Sequence, residues 1–542
     1  MRAQYNIPLR MRHQGPALVF CHSKGLLNDT KPGMTASVAL PYGLRAKKGM
    51  RMSRITAIKN ERPQEGSNTG NAGRVDRMGT ASIPKLIVEF AIPSILGMLV
   101  NGAYNVIDSI FLGQGVGEIG LTAVTVAFPA MVVMMALAML VGNGGNALAA
   151  LRLGEGRHDD AETSLGNTFT LSIIVAAAVA LIVNTPAVEW LLTISSATDE
   201  ARPYARTFMQ IVGMGFVFQM VGMGINNFIR TAGAPFRAFM TMLIGAIACT
   251  VFNALFVLAL GWGVTGSALA TVAGQAVSCA SVMWYFLFTK KSPLKLRVRC
   301  LKLHGPVVVK IFTLGFASFI LQVGMAAVNF VVNYLLAKWG ALSPIGADDA
   351  QASIGVVQRV ASFVVMPLIG VAIALQPLLG YNYGAHLFDR VKKTLLYGII
   401  GATGIGVLMW AIIHLWPTQI VGAFGITHPD LADFTVFALT VQMMMIPFVG
   451  FQIVCSNYFQ ATGQPAKSVF LSLTRQIIFL IPLYLALPYV LPSIFPQYTG
   501  LDAVYFAVPI ADGLAILTTA AFMVHEMGRI KKLESGELQA RF

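Results

Sequence analysis

The sequence predicts an all-α integral membrane protein with twelve transmembrane helices in two six-helix bundles related by a parallel pseudo-two-fold repeat. Composition is the first observation: 56% of the 542 residues are hydrophobic, only 12% are charged, and the mean hydropathy is +0.67. Soluble domains carry about 25% charged residues. The other two observations are apolar runs of about 20 residues, enough to cross a bilayer, and an internal duplication.

The apolar runs divide into two sets of six. The first set is predicted at residues 86–112, 121–151, 163–183, 205–230, 237–260 and 264–289. The second set is predicted at residues 307–337, 352–380, 393–416, 433–460, 468–491 and 503–527. We expect every span to be helical, because a spanning chain must satisfy its own backbone hydrogen bonds. No strand-period alternation indicates a barrel.

Two sequence matches at one offset indicate the duplication. Residues 226–235 read "NNFIRTAGAP", and "SNYFQATGQP" follows 230 residues later. The same offset aligns "RLGEGRHDDA", which begins at Arg152, with "NYGAHLFDRV". Because six helices form an even number, both halves enter the membrane from the same side, which makes the repeats parallel. In secondary transporters this symmetry places the substrate path between the halves, near the bilayer midplane.

Basic residues predict the orientation. They cluster in the loops of one side and are nearly absent from the other side, where Arg202 and Lys338 are the main exceptions. Cytoplasmic loops carry the excess of Lys and Arg, so we expect both termini in the cytoplasm of a multi-pass plasma (inner) membrane protein. The basic side is marked by Arg152, Arg157, Arg230, Arg237, Lys290, Lys291, Lys295, Arg297, Arg299, Lys302, Lys310, Arg390, Lys392, Lys393, Lys467, Arg529, Lys531 and Lys532.

The predicted organisation has five parts. Residues 1–80 form a basic cytoplasmic extension with fourteen Lys and Arg against four acids. We expect this extension to be disordered, with a start codon chosen too far upstream as the alternative. We expect no nucleic-acid binding, and attraction to anionic lipid is left open. The two bundles occupy residues 81–289 and 306–530, and a basic cytoplasmic linker at 290–305 joins them. Residues 531–542 form a cytoplasmic tail.

The cysteines and glycine-rich strings argue against a metal, redox, dinucleotide or ATP site. The five cysteines are scattered without metal-ligand or redox spacing. The strings "GVGEIG" at 115–120 and "GWGVTG" at 261–266 lack the preceding strand of a dinucleotide site, so we interpret them as turn glycines between spans. The chain has no GxxxxGK[ST] motif. We therefore expect a protein that is not an enzyme, has no cofactor, and takes energy from an ion gradient or a partner.

One acid lies inside the first predicted span. Asn101, Asn105 and Asp108 follow an i, i+4, i+7 spacing and share one helical face. An ionisable residue in a spanning helix costs about 2.5 to 3.5 kcal/mol on insertion scales and marks a functional site by default. Hydrogen bonding between helices is the alternative, above all for the asparagines.

The seventh predicted span repeats the amides and not the acid. Alignment of the two halves places Asn329 opposite Asn105 and Val332 opposite Asp108. Ion chemistry should therefore be asymmetric and lie mainly in the N-terminal half. The polar stripe of this span consists of Gln322, Asn329 and Asn333.

A second acid, Asp512, lies well inside the last predicted span. Alignment places it opposite Gln275. It is a candidate for the substrate cavity or for a polar clamp between helices, and the sequence leaves open whether Arg359 or Arg475 is its partner.

Together these stretches resemble the multidrug and toxic-compound extrusion (MATE) family over roughly residues 79–532. The resemblance rests on "FAIPSILGMLVNGAYNVIDSIFLG", "LTAVTVAFP", "NNFIRTAGAP", "GWGVTGSALATVAGQ" and "LTRQIIFLIPLYLALP". It implies two six-helix bundles that form a V around a central cavity. It also implies export of organic, often cationic and aromatic, compounds in exchange for H⁺ or Na⁺.

The resemblance also assigns roles to residues. Asp108 matches the acid that the family carries on its first helix, with a role in ion coupling. Asn253 stands where many members have a second acid, and Thr271 matches a polar position of the same cluster. Asp108 alone suits exchange of one proton, whereas Asn105, Asn253 and Thr271 could add oxygen ligands for Na⁺. The predicted substrate cavity contains Asn101, Gln275, Gln322, Asn329, Asn333 and Asp512.

A flippase for lipid-linked precursors of similar architecture is the nearest rival. Its pyrophosphate substrate would favour a cavity lined with Arg and Lys, and few basic residues lie inside the predicted spans, chiefly Arg359 and Arg475. A membrane-embedded enzyme would need convergent His, Cys or paired acids, and an ion channel fits the duplication less well. The expected partners are drug-like small molecules and membrane lipid, with no nucleic acid, and we expect a monomer.

Overall fold

A computed structural model describes residues 72–194, 200–289, 292–424, 426 and 428–537. Within its helices a few side chains are not described, among them Asn105 and residues 112–122. The described residues fold into helices joined by short loops and include no strand. Eleven helices are long and apolar enough to cross a membrane, and a bent helix pair makes twelve spans. The prediction of an all-α, twelve-span membrane protein is therefore confirmed.

The N-terminal half contains six spans, numbered here in chain order. They are span 1 (Ile83–Asp108), span 2 (Ala123–Gly154), span 3 (His158–Val183), span 4 (Arg202–Thr231), span 5 (Pro235–Ala259) and span 6 (Gly263–Phe288). Spans 1 and 2 belong to one helix, Ile83–Gly154, and a short helix, Ala187–Ile194, precedes span 4. Span 4 consists of the helices Arg202–Gly224 and Asn226–Thr231.

The C-terminal half contains the other six spans. They are span 7 (Gly305–Gly340), span 8 (Asp349–Gly384, within the helix Ala347–Gly384), span 9 (Phe388–Leu415), span 10 (Pro429–Gln442 with Ile446–Ala461), span 11 (Pro465–Ile494) and span 12 (Gly500–Glu534). A 3₁₀ turn, Val298–Leu301, lies in the linker, and a short helix, Pro417–Gly422, follows span 9.

Span 10 bends by 44° between its two helices. Pro447 lies at the start of the second helix. A proline has no backbone N–H to donate, and its ring clashes with the carbonyl of the preceding turn. The break at Met443–Met445 therefore has a local cause.

Prolines also begin several helices, where the missing N–H has no intrahelical partner to lose. A proline occupies the first or second position of the helices that begin at Ile83, Arg202, Pro235, Gly305, Pro429 and Pro465.

Backbone angles support the duplication at the offset of 230 residues. Gly233 and Gly463 have φ of 76° and 75°, in the turns that follow spans 4 and 10. Gly156 and His386 form a second equivalent pair, with φ of 75° and 56°. The left-handed region suits glycine and costs other residues strain. The turn geometry is thus the same in both halves, although one half uses a histidine.

The two halves meet where spans 2 and 8 cross. A Cβ on Gly154 would lie 2.0 Å from the carbonyl oxygen of Tyr381, and a Cβ on Gly384 would lie 2.2 Å from that of Leu151. The offset of 230 residues converts one contact into the other, because Gly154 corresponds to Gly384 and Leu151 corresponds to Tyr381. Near these contacts the Asn146 side chain donates to Gln376 Oε1 at 3.0 Å. These two residues are 230 positions apart, so they are equivalent in the repeat and bond to each other. The pseudo-two-fold axis therefore passes through this crossing.

Ion pairs gather at the end of the molecule where spans 2 and 8 finish, which we call the basic side. In the N-terminal half, the linker residue Arg297 pairs with Glu162 at 3.0 Å. In the C-terminal half, Glu526 is fully buried and accepts from Lys467 at 2.6 Å and from Arg529 at 2.9 Å. Each half thus fixes its loops on this side with a buried carboxylate.

Residues 72–80 differ from the expected disorder. They form a helix, Ala72–Thr80, whose Val75 and Met78 are each 1% exposed. The Arg390 guanidinium donates to the Met78 carbonyl at 3.1 Å and to the Ala81 carbonyl at 2.7 Å. Apolar burial and these hydrogen bonds order the segment against the C-terminal half. Residues 1–71 lie outside the described part of the chain, so the expectation for them stays a prediction.

The two glycine strings have different outcomes. Gly261 and Gly263 take φ of 65° and 57°, which confirms the turn between spans 5 and 6. Residues 115–120 are helical within Ile83–Gly154. Span 1 is antiparallel to span 8 and span 2 is parallel to it, so the chain still reverses direction between residues 108 and 123, and the prediction that these glycines form the turn stays a prediction. Glycine permits a left-handed turn and does not impose one.

Candidate functional site

Asp108 lies at the end of span 1 and contacts span 5. The Asn253 side chain donates to Asp108 Oδ1 at 2.8 Å. Asn253 is 0% exposed, and it is the last residue of the helix Pro235–Asn253, directly before a π-helical stretch, Ala254–Ala259. No Lys or Arg of the described residues forms an ion pair with Asp108. Its environment is a neutral, hydrogen-bonding one.

Hydroxyl and thiol groups surround this pair. Tyr104, one helical turn before Asp108, lies close to the side chains of Cys249 and Thr271. Asn253 Nδ2 also approaches Cys249 Sγ at 3.6 Å, and Thr271 on span 6 is 5% exposed. Spans 1, 5 and 6 therefore bring together Asp108, Asn253 and Thr271. We call Tyr104, Asp108, Cys249, Asn253 and Thr271 the N-terminal polar cluster.

One atom of the cluster lacks a partner. Asn253 Oδ1 is buried and makes no hydrogen bond, and a buried acceptor without a partner is costly. A proton on Asp108 would supply a donor for this oxygen. A Na⁺ ion would also suit it, because hard cations prefer oxygen ligands. The carboxylate, the amide oxygen and the two hydroxyls of the cluster fit either ion.

The other predicted residues of this half are placed as follows. Asn101 lies on span 1, partly exposed, two turns before Asp108. Gln275 lies on span 6, and its buried Oε1 has no hydrogen bond. Asn105 belongs to the helix of span 1, and its side chain is outside what the structure describes. The structure does not join Gln275 to the cluster.

Asp512 on span 12 is held in an ion pair. Arg475 Nε donates to Asp512 Oδ1 at 2.6 Å, and Arg475 Nη2 lies 3.5 Å from Oδ2. Asp512 is 3% exposed, whereas Arg475 lies in a second π-helical stretch, Thr474–Leu480, within span 11. The partner that the sequence left open is therefore Arg475. The structure places Asp512 in a clamp between spans 11 and 12 and not on an open wall.

The amide side chains of span 7 are more exposed than Asp512. Asn329 and Asn333 are exposed, and Gln322 is partly exposed. The Gln358 side chain on span 8 donates to Asn329 Oδ1 at 3.3 Å. Spans 7 and 8 thus share a polar surface, and Val332, the repeat counterpart of Asp108, is 1% exposed.

Sequence reasoning missed Tyr104, Cys249 and Gln358. Tyr104 lies four residues before Asp108 on the same helical face, so the i, i+4 spacing was a usable signal. Gln358 follows no comparable pattern. Its relation to Asn329 depends on how spans 7 and 8 pack.

The fold and the site define a class: a twelve-span, two-lobed membrane protein with acids inside its spans, the architecture of a secondary transporter. The MatE family model matches residues 93–255 and 314–485, which is more than half of the chain. The chain belongs to the MATE family of membrane transporters.

Curated relatives cover most of the chain. It is 24% identical over 447 residues to "Multidrug export protein MepA" of Staphylococcus haemolyticus, which covers 82% of this chain and 94% of the relative. It is 22% identical over 433 residues to the MepA protein of Staphylococcus aureus (strain MSSA476), covering 80% and 92%.

Solved structures share the fold. One is described as an outward-facing conformation of a multidrug resistance MATE family transporter of the MOP superfamily. It has a TM-score of 0.77 and 23% identity, and covers 87% of this chain and 100% of that chain. Another, a MOP superfamily transporter from Pyrococcus furiosus, has a TM-score of 0.76 and 24% identity, with the same coverage. At these identities the likeness shows the fold alone.

Proposed function

We propose that the protein is a multidrug efflux antiporter that exports organic cations in exchange for H⁺, with Asp108 as the coupling residue. The family and the printed names of the relatives support export of small molecules. The observation that carries the coupling role is the N-terminal polar cluster. Asp108 has only neutral hydrogen-bonding neighbours there, so no buried cation would lose its partner if the carboxyl were neutralised.

The proposed cycle follows from charge. An ionised Asp108 that is open to the cytoplasm attracts a cationic substrate. Protonation from the outer side removes that attraction and changes the hydrogen bond with Asn253, which favours substrate release. A ligand shifts a two-state equilibrium only through different affinities for the two states. Proton and substrate therefore compete at one group, which produces exchange.

Na⁺ is the second candidate ion. Asn253 Oδ1 and the hydroxyls of Tyr104 and Thr271 favour it, because they could supply several oxygen ligands around one carboxylate. The lone acid favours H⁺, since Asn253 replaces the second carboxylate that would add charge for a metal ion. We place the protein in the plasma membrane with both termini in the cytoplasm, on the basis of the basic side.

The experiment uses the purified full chain in liposomes. A fluorescent cation is followed while either a pH gradient or a Na⁺ gradient is imposed, with wild type and Asp108→Asn at equal incorporation. We expect the pH gradient to drive movement by wild type and expect Asp108→Asn to reduce it at least about tenfold, as for a loss of about 1.4 kcal/mol or more. Undiminished transport by Asp108→Asn would remove the coupling role. Movement that responds only to Na⁺ would replace the proton.

A lipid-linked precursor flippase remains the rival. Arg475 is neutralised by Asp512, so it adds no net positive charge for a pyrophosphate. The family relatives are transporters, which also supports transport over an enzymatic function.

A further inference from the structure

Spans 5 and 6 carry a single charged residue, Arg237, in the sequence from Pro235 to Phe288. It lies in the first turn of the helix Pro235–Asn253, at the basic side, and it is exposed. Its guanidinium carbon lies 5.6 Å from the centre of the Tyr285 ring on span 6. Among the described residues Arg237 forms no ion pair, so its charge has no counter-ion there.

The repeat provides an internal comparison. Lys467, at the start of span 11, is the counterpart of Arg237 at the offset of 230 residues. Its ammonium group reaches the fully buried Glu526 at 2.6 Å and lies 5.2 Å from the centre of the Phe459 ring. The C-terminal half thus neutralises this cation with its own carboxylate. The N-terminal half keeps the cation against an aromatic ring, and spans 5 and 6 supply no acid.

Arg237 lies at one end of an exposed apolar stripe on span 5. Met240, Ile244, Ile247 and Val251 follow it at spacings of 3, 4, 3 and 4 residues, so they share its helical face. Ile244, Ile247 and Val251 are 45%, 54% and 58% exposed. From Arg237 to Val251 the stripe is about 21 Å long at 1.5 Å per residue. This length exceeds the ~15 Å of hydrocarbon in one leaflet.

The stripe faces away from the C-terminal half. Met242 on span 5 packs on span 1, where a Cβ on Gly97 would lie 3.2 Å from Met242 Sδ. Span 1 in turn packs on span 8 of the C-terminal half. At 3.6 residues per turn, Met242 points about 140–160° away from Arg237 and Ile244. The stripe therefore belongs to the lipid-facing surface of the N-terminal half.

Aromatic side chains surround the charged end of the stripe. Phe236 is exposed, and so are Trp284 and Phe288 on span 6, whose ring centres lie 4.6 Å apart. Tyr285, next to Trp284, fixes the level of these rings, because it contacts the Arg237 guanidinium. Exposed aromatic rings are typical of the membrane–water interface. Arg237 is therefore placed at the level of the lipid headgroups.

The stacked guanidinium keeps its hydrogen-bond donors available. Contact with the Tyr285 ring uses the flat face of the guanidinium, whereas its N–H groups lie along the edge. A phosphate group can accept two of these donors at once. A zwitterionic headgroup brings its own cation, whereas an anionic headgroup brings the net negative charge that this surface lacks.

We propose that Arg237 binds the phosphate of an anionic phospholipid, whose acyl chains lie along the exposed stripe of span 5. The lipid belongs to the leaflet at the basic side, and Trp284 and Phe288 border its headgroup. This site is separate from the N-terminal polar cluster. Its test requires no transport, so it stands or falls independently of the efflux function.

Trp284 allows lipid at this site to be measured directly. It is one of six tryptophans, and the other five, at positions 190, 262, 339, 410 and 416, lie towards the opposite ends of the spans. The full chain is reconstituted in vesicles of phosphatidylcholine and phosphatidylglycerol, with one of the two lipids brominated on its acyl chains. Fluorescence quenching, after subtraction of the Trp284→Phe signal, gives the relative binding constant of the two lipids beside Trp284.

We expect wild type to prefer phosphatidylglycerol about fivefold, the effect of one basic residue near a membrane surface. Arg237→Gln should reduce the preference to within about 1.5-fold, and Arg237→Lys should fall between, because lysine keeps the charge without the bidentate donors. Lys85→Gln removes another exposed positive charge, at the start of span 1, and is the matched control that should keep the full preference.

The proposal is overturned if wild type shows no preference or if Arg237→Gln retains it. Equal losses in Arg237→Gln and Lys85→Gln would also overturn it, since general surface charge would then be the cause. Inorganic phosphate is added at constant ionic strength in a further arm. We expect it to leave the preference unchanged, and a loss would assign Arg237 to free phosphate instead of lipid. Thermal unfolding in detergent checks that each variant is folded.

Discussion

The two halves share a fold and treat their intramembrane acids differently. In the N-terminal half, Asp108 of span 1 accepts from the neutral amide of Asn253 on span 5. In the C-terminal half, Asp512 of span 12 accepts from the guanidinium of Arg475 on span 11. Spans 5 and 11 are equivalent in the repeat, and both contain a π-helical stretch at the partner residue. The acids come from non-equivalent spans.

This difference distinguishes Asp108, an acid that can change its charge, from Asp512, an acid that holds two spans together. Neutralising Asp512 would leave the partly buried Arg475 without its partner, and breaking such a pair is unfavourable. Neutralising Asp108 leaves no cation behind. The π-helical stretches, which often accompany functional sites, place a side chain against the acid in each half, while the type of side chain decides the role.

The largest effect should come from Asp512→Asn. We expect this change to lower the free energy of unfolding by about 2–3 kcal/mol, because it leaves the partly buried Arg475 unpaired. Asp108→Asn should change it by less than about 1.5 kcal/mol, since only a bond to a neutral amide is altered. Unfolding of both variants in detergent would be followed by denaturant titration.

A double variant serves as the control. Arg475→Met with Asp512→Leu replaces the pair by apolar groups and should recover most of the stability, as buried pairs often allow. Equal losses in Asp108→Asn and Asp512→Asn would contradict the distinction between the halves.

The second prediction tests where the halves are alike. Gly154→Ala and Gly384→Ala should each destabilise by about 1–3 kcal/mol, because each Cβ would press on a backbone carbonyl of the opposite span. The two losses should be similar, since the repeat exchanges the contacts. Gly401→Ala on span 9, whose Cβ would meet nothing within 4 Å, is the matched control and should be neutral or slightly stabilising. A loss in only one of the two variants would refute a symmetric crossing.

The smallest effect concerns the helix Ala72–Thr80, which has no counterpart in the C-terminal half. Arg390→Ala removes the donors to the carbonyls of Met78 and Ala81, so amide hydrogen exchange at residues 75–81 should quicken about tenfold. Lys393→Ala, which breaks an exposed pair with Asp389, should leave the exchange unchanged. Unchanged exchange in Arg390→Ala would mean that apolar burial alone holds the helix.

Several elements could be predicted because their causes are local. Hydropathy placed twelve spans, and the turn at Gly261 and Gly263 followed from its glycines. The order of residues 72–80 was missed because Arg390, which helps to hold them, lies about 310 positions along the chain.

The sequence by itself determined the class, the duplication and the presence of an acid at position 108, because hydropathy, helical period and repeats are properties of neighbouring residues. Only the tertiary structure decided which groups meet. Asn253 reaches Asp108 from 145 residues away, Arg475 rather than Arg359 neutralises Asp512, and Arg359 is left exposed. Such pairings depend on how spans pack, and packing joins positions whose separation along the chain carries no signal.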